Sequence, residues 1–385
     1  MNSLIGGLAR VNHALGRARW RLLAIGIVAL GTVAANAQSP LVIGQSCDLS
    51  SAASPRVKEY VKGVDAYIQS VNEAGGVNGH PIKLIRYDDG FKPDRALQNA
   101  KRLVEQDGAL ILFGMGAAQS TAAVLPYTNE KGIPILGSMS GADSLRKASP
   151  LLFHLRASFG DEIERIALHL STVGLKRVAV MASDLPIGVE GTATMVKAAK
   201  EQGLDLVRVV RVDAKLGNLA DAAAAIARDN PQAVLILAPA GPGIKFTEAL
   251  KDAKVSAQVV GLSIMSSDSL YKTLGERAHG MIITQVVPFP WNTRLAITRD
   301  YQRLMARSGT AVSVDTLEGY IAARLLVEAL RSAGNPPSRE SFVAALERMN
   351  DKDLGGLRIT LSAKDRVAIS MVDITMIGAA GKLVD

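Results

Sequence analysis

Two short turns carry the residues best suited to holding a small anion. Gly114-Met115-Gly116 follows a strand and precedes a helix, and free N–H groups at a helix N-terminus attract a carboxylate or phosphate. A small anionic ligand is therefore expected at residues 116–120. Ser138 and Ser140 occupy the next strand-to-helix turn, between Gly137 and Gly141, which let a backbone approach closely. Capping of the following helix is the other use of those hydroxyls. Neighbouring turns of small residues at the carboxyl ends of strands are where open α/β sheets bind ligands, so one ligand touching both turns is the expectation. A dinucleotide is not: the third glycine position is Gln119, and no acidic residue ends the strand 133–136 to hold a ribose.

Catalytic constellations are missing. Ser144-Leu145-Arg146-Lys147 matches S-x-x-K, but S-D-N and K-T-G are lacking, and helix surface is the expected role. In Gly137-Ser138-Met139-Ser140-Gly141 a methionine stands where a nucleophile elbow needs serine. His80, His154, His169 and His279 are far apart and none forms H-E-x-x-H, so zinc is not indicated. Asp88-Asp89 reads as a capped turn before the helix at Lys92 rather than a metal pair. The sequence thus predicts no enzyme, no metal and no cofactor.

The elements that must position these turns alternate short aliphatic runs with longer amphipathic ones, the pattern of parallel α/β construction. Strands are predicted at 41–44, 82–87, 109–113 and 133–136. Val57, Tyr60, Val61, Val64, Ile68 and Val71 share one helical face between the first two. Gly75-Gly76-Val77-Asn78-Gly79 stops that helix. A second series follows Phe153-His154-Leu155-Arg156, with helices from Asp161, 188–202, 219–228 and 244–254 and strands at 178–182, 206–212, 234–238, 259–262 and 281–286. Helices are then predicted at 293–308, 314–333 and 339–349, before a strand region around 367–377 that fits either lobe. At 385 residues the chain is long enough for two such lobes.

Charge narrows the partners. The chain carries 44 Lys and Arg against 36 Asp and Glu, a net +8. Four of those cations, Arg10, Arg17, Arg19 and Arg21, precede an apolar run from Leu22 to Ala34 and then Ala35-Asn36-Ala37. Basic, apolar, A-x-A is the order of a secretory signal peptide, and the run is shorter than the ~20 residues of a membrane span. Residues 1–37 are accordingly read as a leader, which leaves a nearly balanced chain and no nucleic-acid footprint. Cys47 is the only cysteine, so no internal disulfide forms and core burial must hold the fold.

The order of leader, Leu41-Val42-Ile43-Gly44, Gly75-Gly76-Val77-Asn78-Gly79, Asp88-Asp89, Gly132-Ile133-Pro134, Ser140-Gly141-Ala142, Arg156-Ala157-Ser158 and Val287-Pro288-Phe289-Pro290-Trp291 resembles the periplasmic leucine/isoleucine/valine-binding protein family of ABC transporters. The resemblance implies an α/β type I periplasmic-binding-protein fold, two doubly wound Rossmann-like lobes joined by three hinge strands. Residues 38–156 plus 287–362 would form lobe 1, and 157–286 plus 363–385 lobe 2. It implies a ligand carboxylate held at Gly116, Ala117, Ala118 and Gln119 and at Ser138, Met139 and Ser140. Ile187 and Met265 would add apolar contacts, with Ser263 where the family keeps an acid for the ligand ammonium. Alanine at 118, isoleucine at 187 and serine at 263 depart from the family pattern. With no carboxylate for an amine, an organic or aromatic acid fits at least as well as an aliphatic amino acid. The expected role is a monomeric periplasmic receptor that closes on its ligand and feeds an inner-membrane ABC permease, the alternative being a sensor that signals to a membrane receptor.

Overall fold

β-branched and aliphatic residues in short runs, several closed by glycine, serine or aspartate at the carboxyl end, form parallel strands here. The computed structural model describes residues 38–384 apart from 52, 53 and 214, so the expected leader lies outside the described residues. The first sheet is built from β1 (Leu41–Cys47), α1 (Ser54–Glu73), β2 (Ile82–Asp88), α2 (Pro93–Glu105), β3 (Ile111–Phe113), α3 (Ala118–Lys131), β4 (Ile135–Ser138) and β5 (Leu152–His154). Its strands run parallel in the order β2-β1-β3-β4-β5.

The second sheet takes α4 (Phe159–Thr172), β6 (Arg177–Ser183), α5 (Pro186–Gln202), β7 (Asp205–Val212), α6 (Leu219–Asp229), β8 (Ala233–Leu237), α7 (Ala240–Asp252), β9 (Gln258–Gly261), α8 (Ser267–Leu274) and β10 (Ile282–Gln285). Then α9 (Ala296–Ser308), α10 (Val314–Ser332) and α11 (Arg339–Glu347) precede a hairpin of β11 (Asn350–Asp353) and β12 (Arg358–Thr360). β13 (Asp373–Ile377) and β14 (Leu383–Val384) end the described chain. The second sheet is ordered β14-β13-β10-β9-β8-β6-β7, with β13 antiparallel to β10. Two doubly wound sheets in one chain, the first parallel and the second parallel but for the pairings of β13 with β10 and β14, make this a type I periplasmic-binding fold.

Two features place the site. Helix α10 lies against α1 closely enough that a Cβ on Gly63 would meet the Thr316 carbonyl oxygen at 1.9 Å, and one on Gly319 the Tyr60 carbonyl oxygen at 2.0 Å. Backbone-to-backbone packing of this kind fixes the register of the two helices and brings Arg56 opposite Asp315 and Glu318. The chain also passes between the sheets three times: after β5, after β10 and after β12. Near the last crossing Val367 bridges to His154 on the first sheet before β13 joins the second.

Several elements were not visible in the aliphatic pattern. β5 has three residues, and α8 follows a short 3-10 turn at Ser263–Met265. β11 reads Asn-Asp-Lys-Asp with every residue exposed, so no alternation marks it. The terminal strand region narrows to Asp373–Ile377. The S-x-x-K segment is no helix surface: Asp143–Leu145 is a single 3-10 turn. Arg146 turns inward and donates to the carbonyls of Arg156 and Ala157 at 2.9 and 3.0 Å.

Candidate functional site

Parallel strands aim the N-termini of the helices that follow them at the carboxyl edge of the sheet, and here both sheets present that edge to one cavity of about 70 Å³. From the first sheet's side come Asp48, Arg56, Val57, Phe91, the turn Gly116–Gln119, Met139 and Ser140. From the other come Phe159, Leu185, Pro186, Ile187, Pro239, Ala240 and Ile264. The first turns of α1, α3, α4, α5 and α7 all contribute to this lining. Helix N-termini carry partial positive charge and unpaired N–H groups, so five of them around a mostly apolar space favour a small anion with an apolar body.

The charged lining residues are Asp48 and Arg56. Asp48 is buried and engaged in its own turn, accepting from the Ser50 and Ser51 amides at 3.3 and 2.9 Å and from the Ser51 hydroxyl. Arg56 is the cation of the wall. Its Nε stands 3.3 Å from Asp315 Oδ1, and its Nη2 donates to Glu318 Oε2. Burial opposes the Arg56 charge, but Glu318 and Asp315 outweigh it and raise the guanidinium's pKa. Phe91 reaches the cavity from a left-handed backbone, φ 62°, a conformation that a bulky residue adopts at a cost of ~1–2 kcal/mol.

Behind Arg56 the polar groups continue into the interior. Arg156, 0% exposed, donates to Glu162 Oε1 at 2.5 Å and to the Ser263 hydroxyl, and its Nη1 lies 3.8 Å from Glu318 Oε1. The Ser263 amide donates to Glu162 Oε2 at 2.8 Å and to Thr284 Oγ1 at 2.9 Å. At the other end, Ser266 Oγ donates to Asp315 Oδ2 at 2.5 Å. Burial lifts the Asp315 carboxyl to about 7, against the opposing pull of Arg56. The chain Glu162–Arg156–Glu318–Arg56–Asp315–Ser266 thus links α1 and α10 to α4 and the segment after β9.

Seven of the residues singled out in the sequence come together in the cavity: Gly116, Ala117, Ala118, Gln119, Met139, Ser140 and Ile187. Three do not line it. Ser138 Oγ faces inward to Thr121 Oγ1 at 3.1 Å and accepts from the Ser140 amide at 3.3 Å. Ser263 is turned to Glu162 and Arg156. Met265 is fully buried, filling the space over Gly243 and Gly261, where added Cβ atoms would meet its Cε at 2.6 Å and Sδ at 2.3 Å. The expectation that no carboxylate lines the site is also corrected, since Asp48 does. Sequence reasoning missed Asp48, Arg56, Phe91, Phe159 and the Pro239 turn. All lie near the carboxyl ends of strands, in the turns or first helical turns that follow, so the rule applied to residues 116–141 would have found them at every strand. Asp88 and Asp89 do cap their turn, accepting from the Leu49, Gly90 and Phe91 amides. Among the described residues no group of three His, Cys, Asp or Glu side chains is placed to hold a metal ion, and no helix is long and apolar enough to cross a membrane.

Residues 40–382 match the family model described as periplasmic binding protein. The chain belongs to that family. Solved members include a possible leucine/isoleucine/valine-binding protein from Rhodopirellula baltica, with a TM-score of 0.83 and 26% identity over 91% of this chain and 97% of that one. An amino acid binding protein of Pseudomonas aeruginosa is 31% identical over 112 residues, 29% of this chain and 30% of its own length. Leu/Ile/Val-binding protein homolog 6 of Brucella melitensis is 25% identical over 238 residues, 59% of each chain. The matched segments therefore span less than two thirds of these two curated relatives.

Proposed function

We propose that this protein is the periplasmic solute-binding component of an ABC importer, capturing a small carboxylate-bearing ligand by cleft closure and delivering it to an inner-membrane permease. The observation that carries the reading is the convergence of five helix N-termini from both sheets on one small, largely apolar cavity. Ligand contacts made by both walls exist only when the cleft is shut, so binding stabilises the closed arrangement through differential affinity. Lobe 1 comprises residues 38–156 plus 287–362 and lobe 2 residues 157–286 plus 363–385. Gly116–Gln119 and Ser140 supply donors to the carboxylate, while Met139, Phe159, Ile187 and Ile264 enclose its body. Relatives named for amino acid binding support an aliphatic amino acid. The engagement of Asp48 within its own turn supports an acid without an amine. The protein acts as a monomer and performs no chemistry on its cargo.

A thermal-shift screen of the mature protein against amino acids, aliphatic acids and aromatic acids tests this. A ligand at 100 times its dissociation constant stabilises by about 2.7 kcal/mol, an easily read rise in Tm. No shift with any of these classes overturns the proposal, and shifts with free amino acids alone reject the amine-free alternative.

A further inference from the structure

The ion-paired chain behind the cavity joins two guanidiniums, Arg56 and Arg156, to three carboxylates, Asp315, Glu318 and Glu162. The inward-turned Arg146 adds positive charge beside Arg156 and Glu162, so the negative excess lies at the Glu318–Asp315 end. All five side chains are less than a tenth exposed. A net buried charge is costly, and proteins commonly relieve it by neutralising one group. The members are not equally placed to do so. Glu162 accepts from Arg156, Thr284, and both the amide and hydroxyl of Ser263. Glu318 lies between both arginines. Asp315 has one cation, Arg56 at 3.3 Å, and one hydroxyl, Ser266.

The groups facing Asp315 from neighbouring elements are Arg56 on α1, Ser266 and Asp268 at α8, Tyr301 on α9 and Glu318 on its own helix. Asp268 and Glu318 both disfavour its ionisation, and burial disfavours it more. Because Arg56 borders the cavity while pairing with Asp315 and Glu318, charge arriving in the cavity is felt by this cluster.

We infer that Asp315 holds the cluster's balancing proton up to about neutral pH and that an anion bound beside Arg56 favours that proton, so above neutral pH ligand capture is coupled to proton uptake. The second half rests on the carboxylate reading above; the first does not. A raised carboxyl pKa destabilises the folded protein as pH rises from the ordinary aspartate range through about 7. Above that point an anionic ligand must bring back the proton, and its affinity falls by up to about tenfold per pH unit.

Two measurements test this on the mature protein. Thermal unfolding without ligand, between about pH 5 and about pH 9, should show the wild type losing Tm relative to Asp315→Asn as pH rises. Glu318→Gln, which removes one negative charge and keeps the others, should flatten the loss in the same way. Parallel curves for all three proteins overturn the inference. Calorimetry with benzoate at about pH 8, in two buffers of different ionisation enthalpy, should then reveal proton uptake in the wild type and none in Asp315→Asn. Benzoate binding without uptake overturns the coupling. If benzoate fails to bind while the ligand-free curves diverge, the ligand reading fails and the proton on Asp315 stands.

Discussion

The two walls of the cleft are built from the same strand-turn-helix unit but carry different chemistry. The first-sheet wall brings a guanidinium, a serine hydroxyl and the Gly116–Gln119 amides. The second-sheet wall brings leucine, isoleucine, alanine and two prolines, with no titratable side chain in the lining. One wall can therefore recognise charge while the other supplies apolar area. On the proposed function, a ligand first held by its carboxylate would gain the second set of contacts on closure, and that difference would drive the motion.

Four substitutions and one control break or sharpen this contrast. Arg56→Met should have the largest effect, leaving Glu318 and Asp315 buried without their shared cation and costing about 3–5 kcal/mol of stability in denaturant unfolding. As a control, cutting the exposed Arg208–Asp229 pair should leave the denaturant midpoint essentially unchanged. Ser140→Asp places a like charge on the polar wall and should weaken carboxylate binding by about 100-fold in calorimetry with the fold unchanged. Unaltered affinity there would remove the second turn from the site. Ile187→Ala on the opposite wall, a contact 4% exposed, should cost about tenfold in affinity through lost apolar burial. Phe91→Gly should be the mildest: relief of the positive φ offsets the lost ring, leaving stability within about 1 kcal/mol, while an acid with a ring binds severalfold more weakly. If Ile187→Ala proves as damaging as Ser140→Asp, the walls do not divide their labour as described.

The sheets were legible because parallel strands buried on both faces read as unbroken aliphatic runs; Val178–Ala182 and Ala233–Leu237 are fully buried. The turns at 116–119 and 138–140 were legible because strand order alone places them at the carboxyl edge. Arg56 was not, since nothing in Ser54-Pro55-Arg56-Val57 distinguishes a buried arginine from a solvated one. Its partners stand more than 250 residues away on α10, and the backbone contacts of Gly63 and Gly319 decide the meeting. Ser263 was misplaced for a related reason: ungapped spacing locates the turn after β9 but not which way its first hydroxyl faces, and Glu162 claims it.

Trp291, 43% exposed with its ring 5.2 Å from Phe289, sits on the segment linking β10 to α9. Beyond residue 37 it is the only tryptophan in the sequence. With the proposed leader removed, its fluorescence would report from a single known location on one of the three connectors, an optical test of the proposed opening and shutting with no dye attached.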